Sequence, residues 1–309
     1  MTEVSGDMKR SGMQLNFAAP GQIDFNSISK KAKRFGIQLI WSLVIPVVFI
    51  AGWDMIANHL QNPVVLPTVK ESLQILIHPF ANLIGMGSLF SNIFVSLMRV
   101  LLGYVLAVLV AVPIGIFMGY YGPAYRLLNG FLGLFRPIPP LAWVPLVLAW
   151  FGIASMATLL GIKQGQWYVY LNNLKLSMVF IIFIGAFYPV LTSALYGVRN
   201  VRKVLIDSAR VLGASEKDIF RLVLLPAAFP SIVNGMRIGL GVAWMCLVSA
   251  EMLPGSLSGV GYLITHAYTV ARTDIVVAGM ISIGVVGSIL DFLFRALEDK
   301  KFAWQRLSR

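Results

Sequence analysis

The amino-acid sequence predicts an all-α, polytopic membrane protein with about six transmembrane helices. Of its 309 residues, 58% are hydrophobic and only 12% are charged, at a mean hydropathy of +0.79. A soluble domain carries about 25% charged residues, so a chain with half that charge cannot cover its surface in water. The apolar residues also gather in long runs, each reaching the roughly 20 residues that a 30 Å hydrocarbon core requires. Such runs must satisfy their own backbone hydrogen bonds in lipid, and without strict alternation they read as helices. Finally, Lys and Arg concentrate in three regions that six spans would place on one side.

Residues 1–34 are expected to form a cytoplasmic amino-terminal tail, mostly disordered over 1–29 and closed by Lys30, Lys31, Lys33 and Arg34. The first span follows from Phe35 to about Ile56. It starts late, lacks a small-residue cleavage site and is long enough to cross, which excludes a signal peptide. Pro63–Phe80 is shorter and carries Lys70, Glu71 and His78, so it reads as an amphipathic helix at the membrane surface. Further spans are expected at about 93–120, 131–151, 176–197, 229–253 and 274–295. The transmembrane domain thus covers 35–297, with a cytoplasmic connection at 198–228, and a cytoplasmic tail occupies 298–309.

Orientation follows from the loop charges. The first tail holds Lys9, Arg10, Lys30, Lys31, Lys33 and Arg34. The connection after the fourth span holds Arg199, Arg202, Lys203, Arg210, Lys217 and Arg221, and the carboxyl end holds Arg295, Lys300, Lys301, Arg306 and Arg309. The opposite loops have only Lys70, Lys163, Lys175 and Arg272. Both termini and the 198–228 connection are therefore expected in the cytoplasm, and the net charge of +12 requires no nucleic acid. One cysteine, Cys246, excludes a disulfide framework or Cys-cluster metal site. His59, His78 and His266 lie far apart, and no Gly-Lys dipeptide occurs, so no Walker A loop is present. No cofactor is expected in this chain.

The 198–228 connection has the pattern of a helical hairpin. Val201–Leu212 reads as a short helix, and Gly213 suits a left-handed turn. Ser215 is placed to cap a second helix with Asp218 at capping-box distance, and Pro226 is expected to stop that helix near the membrane. The triplet Asp207-Ser208-Ala209, then Gly213 after three residues, then Val223-Leu224-Leu225-Pro226 after nine, resembles the EAA loop of binding-protein-dependent ABC-transporter permeases. Asp replaces Glu and Ser replaces the first Ala, keeping the charge and the small size. In that family the loop docks in a groove on the ATPase subunit, and the resemblance implies the same for Asp207, Ser208, Ala209, Gly213, Leu225 and Pro226.

Further stretches are similar to the nitrate/sulfonate/bicarbonate (taurine-type) branch. They are Arg136–Trp143, Trp150-Phe-Gly152, Ser96–Val100 with Gly103, Met236–Leu240, and Ala250–Leu253 with Gly259-Val-Gly261. Together they cover about residues 60–295. The resemblance implies a five-helix permease core preceded by one amino-terminal helix. It also implies a permease dimer, here a homodimer, two ABC ATPase subunits that bind the ATP and Mg, and a substrate-binding protein or lipoprotein outside. The segment 153–187 departs from the family by its length. With Lys163, Trp167, Tyr168, Tyr170, Asn172, Asn173 and Lys175, it reads either as an interfacial anchor or as a contact for the binding protein.

Four ionisable groups inside the spans are candidates for the translocation path. Arg136 precedes Pro137, Pro139 and Pro140, which remove backbone donors and break the helix. The freed carbonyls must face protein or water, and Arg136 either serves an anion path or snorkels to the interface. Arg99, in the outer part of its span, either attracts an oxyanion or pairs with headgroups. Arg237 lies toward the cytoplasmic side, while Glu251 lies near the outer end of the fifth span as a partner for a basic group elsewhere or part of an outer gate. Gly115/Gly119 and Gly235/Gly239 are spaced for close helix approach inside the bundle.

The expected function is the membrane-spanning subunit of an ABC importer in the inner (plasma) membrane, moving a small anion and breaking no bond itself. Nitrate, a sulfonate such as taurine, or bicarbonate is the expected solute, by family analogy. An organic nutrient is the alternative within the family. A secondary transporter would show paired halves and coupling-ion residues, and an embedded enzyme would need a clustered catalytic constellation; neither pattern is found in the sequence.

Overall fold

A computed structural model describes residues 25–152, 154–252 and 255–301. Every regular element among them is helical. The chain divides into two units, Met1–Met55 and Ile56–Arg309. The helix α1 (Phe25–Leu60) begins in the first unit and contains Pro46, and its apolar window is Leu43–Leu60. The basic group Lys30–Arg34 thus lies within a helix rather than in a tail, and the apolar window starts later than Phe35. The remainder of the expected tail, 1–24, lies outside the described residues.

The second unit opens with α2 (Val69–Ile77), held at its start by a Thr68–Glu71 capping box. Then come α3 (Leu89–Tyr120), the pair α4 (Gly122–Phe135) and α5 (Val144–Phe151), and two short helices, α6 (Met156–Leu159) and α7 (Gln166–Asn172). The long helix α8 (Leu176–Arg199) follows. The next elements are α9 (Lys203–Val211), α10 (Glu216–Asp218), a π-helical stretch Ile219–Leu224, and α11 (Leu225–Glu251). The last two are α12 (Val260–Thr269) and α13 (Thr273–Lys301). Among the described residues, five helices are long and apolar enough to cross a membrane, or six if the bent α4/α5 pair counts as one span.

The helix α8 is the centre of this unit, packed between α3 and α11. Lipid tails are as apolar as Leu, so helices associate in membranes through close packing more than through the hydrophobic effect. Small residues provide that closeness here. A Cβ on Gly115 would stand 2.6 Å from Ala194 Cβ, and one on Gly239 would stand 2.7 Å from Val190 Cγ2. Gly119 approaches Val198, and Gly235 lies directly against Ser193. Both spaced glycine pairs are therefore internal contacts of α8. Val100, Tyr104 and Ala107 of α3, Ile182 and Ala186 of α8, and Ala243, Trp244 and Leu247 of α11 fill the space between them. The Tyr104 hydroxyl donates to the Met236 carbonyl at 3.0 Å, and Trp244 Nε1 donates to the Ile283 carbonyl of α13 at 3.2 Å.

Three expectations require correction. The apolar run 131–151 is not one straight span: α4 and α5 meet at 81°. Pro137, Pro139 and Pro140 have no N–H to continue the ladder, and a 3₁₀ turn at Pro140–Trp143 carries the chain round the corner. Pro226 does not stop a helix either. It stands at the start of α11, directly after the π-helical stretch, and the helical path continues through it. Glu216–Glu251 thus runs as one helical segment of 36 residues. At the other end, α13 continues to Lys301, so 298–301 belongs to a helix, and 302–309 lies outside the described residues.

The long segment between α5 and α8 closes on itself. Met156 N–H donates to the Leu174 carbonyl at 2.9 Å, and Leu176 N–H donates to the Ala154 carbonyl at 3.0 Å. Between these ends α6 and α7 form a small excursion with Trp167 and Tyr170 exposed. An apolar groove of about 480 Å³ separates α7 from α3, walled by Phe94, Met98, Leu101, Trp167 and Tyr170 among others.

Candidate functional site

The hairpin between α8 and α11 builds up from local rules. The helix α9 ends as Leu212 N–H donates to the Ser208 carbonyl, Gly213 N–H to the Arg210 carbonyl and Ala214 N–H to the Ala209 carbonyl. These bonds require Gly213 to turn left-handed, and its φ is +83°. Ser215 then caps α10: its hydroxyl accepts from Asp218 N–H at 3.3 Å, while the Asp218 carboxylate accepts from Ser215 N–H at 3.3 Å. Arg210 spans the turn, donating to Glu216 from Nε at 3.1 Å and from Nη2 at 2.9 Å.

The hairpin is anchored at its base and open at its tip. Ile219 and Leu224 are buried, Leu224 in a cluster with Ala194 and Val198 of α8. The tip presents Val211 and Leu212, 87% and 86% exposed, while Val204 and Leu222 are exposed nearer the base. Asp207 and Ser208 are exposed and Ala209 is half-buried on the same hairpin. Leu225 and exposed Pro226 stand apart at the start of α11. Beside the hairpin a groove of about 680 Å³ is lined by Pro113, Ile116 and Tyr120 of α3 and by Glu216, Phe220 and Arg221. The tip therefore carries large apolar side chains that this chain itself leaves uncovered.

The intramembrane candidates separate into three places. Arg99 and Glu251 meet in a buried ion pair, Nη1 to Oε1 at 2.6 Å, with side chains 1% and 0% exposed. Arg99 therefore does not reach the headgroups. Its Nε donates to the Asn173 carbonyl at 2.8 Å, Nη1 to the Ser258 carbonyl at 2.7 Å, and Nη2 to Ser258 Oγ at 2.9 Å. Glu251 also accepts from Ser96 Oγ at 2.9 Å and from Gly261 N–H at 3.0 Å. Asn92 Oδ1 accepts from Gly259 N–H at 2.8 Å, and Ser96 Oγ accepts from Val260 N–H at 3.0 Å. Just outside this network, burial and the nearby Arg99 charge hold Lys175 below the usual lysine value.

Arg237 lies elsewhere. It donates to Asn234 Oδ1 at 2.9 Å and faces α13, with Glu298 at 3.7 Å and Asp291 at 4.0 Å. Arg136 caps the end of α4 at the bend; it, Pro137 and Pro139 are exposed, and Pro140 is half-buried. The seven candidates thus form no single cluster. Of the residues in these contacts, the sequence reading left Asn92, Ser258, Asp291 and Glu298 unmentioned and named Ser96 and Asn173 without this role, and it did not foresee the helix α12. A signal existed for two of them, because Asn92, Ser96 and Arg99 recur at the spacing of one helix face. Among the described residues no group of three or more His, Cys, Asp or Glu is placed to hold a metal ion.

Comparison with known proteins adds an independent line. Residues 111–302 match the family model described as the binding-protein-dependent transport system inner membrane component. The chain is 45% identical over 272 residues to a putative ABC transporter permease protein of Methanocaldococcus jannaschii, covering 88% of this chain and 94% of that one. It is 34% identical over 260 residues to the taurine transport system permease protein TauC of Escherichia coli, covering 84% and 86%. It is 33% identical over 251 residues to the nitrate import permease protein NrtB of Leptolyngbya laminosa, covering 80% and 81%. Among solved structures, a chain of the MetNI methionine ABC transporter in an inward-facing conformation shares the fold, with a TM-score of 0.53 at 16% identity. The match covers 68% of this chain and 94% of that one.

Proposed function

From the premise that this chain belongs to the binding-protein-dependent transport inner-membrane family and is a permease of the ABC importer kind, we propose that it is the subunit through which a small oxyanion enters the cell. The observation that carries this reading is the hairpin. Its left-handed Gly213 turn, capped second helix and exposed Val211 and Leu212 make a rigid knob with an apolar tip. A knob of this kind suits a groove on an ATPase subunit, and the continuous run from Glu216 to Glu251 joins it mechanically to the far end of the bundle.

In this reading the hairpin and both termini face the cytoplasm, where the Lys and Arg excess lies. ATP and Mg are bound by two ATPase subunits, and this chain supplies no site for either. Two copies of the chain pair across the path, and a binding protein delivers the solute from the opposite side. The exposed Trp167 and Tyr170 anchor the α6–α7 excursion at the headgroup level.

Support for an oxyanion comes from two sides. TauC and NrtB are named for taurine and nitrate transport, and both solutes present a compact, negatively charged oxygen cluster. Exposed Arg136 stands at the 81° break between α4 and α5, and no partner for it is found among the described residues. A cation held at the edge of an interrupted helix is available to a passing anion. The test is competition in reconstituted vesicles containing permease, ATPase and binding protein. Labelled taurine, nitrate and bicarbonate are offered in turn, each with a neutral amino acid as competitor. Uptake of one of the anions, undiminished by the neutral solute, is expected. Uptake of the neutral solute alone would refute the anion assignment.

A further inference from the structure

Arg99 donates four hydrogen bonds to other parts of the chain. It joins three parts of the chain that are distant in sequence. It belongs to α3, pairs with the last residue of α11, and donates to Asn173 at the end of α7 and to Ser258 in the loop before α12. The loop passes so close to the pair that no side chain fits. A Cβ on Gly259 would overlap the Glu251 carboxylate, and one on Gly261 would overlap the Val248 carbonyl. Ser96 bridges the remaining gap, donating to Glu251 and accepting from Val260 N–H.

The position of the pair matters as much as its bonds. Glu251 ends the same 36-residue helical segment that begins at Glu216 in the hairpin. A helix of that length transmits displacement over about 54 Å. A buried ion pair is well suited to the far end of such a rod. Compared with apolar filling it adds little net stability, because desolvating two charges offsets their attraction. Once separated into water, however, each charge recovers its hydration. The pair therefore has two favourable arrangements, closed and paired or open and hydrated, with a costly intermediate between them.

We propose that Arg99 and Glu251 form a latch that holds the 255–259 loop and Asn173 against α3, and that this latch parts when the hairpin end of α11 is displaced. Arg99 is then a positioning residue for the outer end of the path and carries no solute. The proposal rests on the importer reading for its orientation and driving force. Its first test, thiol accessibility of the permease, requires no ATPase and so separates the two.

Ser256 is buried beside the network and donates to the Ser258 carbonyl at 2.9 Å. Ser256→Cys, made in a Cys246→Ser background, therefore reports whether the loop is closed. Glu251→Gln leaves Arg99 buried without a counter-charge, which penalises only the closed state. Maleimide labelling of the purified permease should then rise about fivefold or more, a population shift of the size a stranded charge produces. Arg99→Gln combined with Glu251→Gln removes both charges and should return labelling toward the parent rate. A merely structural role predicts the opposite order, with the double variant the most accessible. If Glu251→Gln fails to insert, Ser96→Ala carries the test, with a smaller rise in the same direction. In the complete transporter, a non-hydrolysable ATP analogue should raise labelling in the parent protein. Unchanged labelling in Glu251→Gln or Ser96→Ala, a double variant more open than the single, or no response to nucleotide in a complex that transports would each overturn the latch. A complex that neither binds ATPase nor transports would instead refute the importer reading.

Discussion

Gly259 illustrates how little room the buried pair leaves. Its φ is +110°, a region that L side chains rarely adopt, and a Cβ there would overlap the Glu251 carboxylate. Gly259→Ala is therefore expected to lower stability by at least about 1–3 kcal/mol from backbone strain alone, seen as a reduced melting temperature of the detergent-solubilised protein. The comparison is Gly255→Ala, whose glycine also has positive φ but meets nothing within 4 Å, so its loss should be smaller. Equal losses would remove the close approach as the cause. Arg136 invites a functional measurement instead. Exposed at the helix break, it is expected to lose about tenfold in oxyanion uptake as Arg136→Gln, equivalent to about 1.4 kcal/mol of lost anion stabilisation, with assembly intact. Normal uptake would assign it to snorkelling at the interface. The pairing of Arg99 was legible only in part. Asn92, Ser96 and Arg99 share a face by spacing alone, but Glu251 stands 152 residues away, and no local rule connects positions at that separation.

Among the elements, the hairpin was the most readable because its determinants are local. Gly213 falls at the turn, and Ser215 and Asp218 stand at capping distance. The bend between α4 and α5 was only half readable. The prolines mark a break, but a hydropathy run carries no direction, so two helices at 81° look like one span. The fate of Pro226 was hidden for a related reason. A proline stops a helix or starts one depending on the backbone before it, and here that backbone is the π-helical stretch Ile219–Leu224, in which Ile219 and Leu224 are buried. Gly213→Val tests the hairpin as an element. No atom lies within 4 Å of the added Cβ, so the cost is backbone strain of about 1–2 kcal/mol rather than collision. The spans keep their own packing, and the variant should insert normally. The angle of the knob should change, lowering co-purification of the ATPase and solute-stimulated hydrolysis per inserted permease. Wild-type values for both would exclude the hairpin as the coupling element.

At the scale of the molecule, charge asymmetry and span count make a topological prediction. Lys203→Cys in a Cys246→Ser background should resist impermeant reagent added to intact cells, while Trp167→Cys and Arg272→Cys should react. Labelling at position 203 from outside would overturn the six-span arrangement. The fold class itself was the easiest feature to read, since low charge and long apolar runs leave few alternatives, whereas the central place of α8 depends on glycine contacts visible only in three dimensions. The central claim is that an ATPase drives solute through this chain by way of the hairpin. Its most direct test is accumulation of labelled oxyanion in vesicles, with the ATPase and binding protein present or omitted and the permease either wild type or Gly213→Val. The account predicts accumulation only with wild-type permease, both partners and ATP, and near-background uptake with Gly213→Val. Accumulation without the ATPase, driven by an ion gradient and indifferent to the Val substitution, would contradict it.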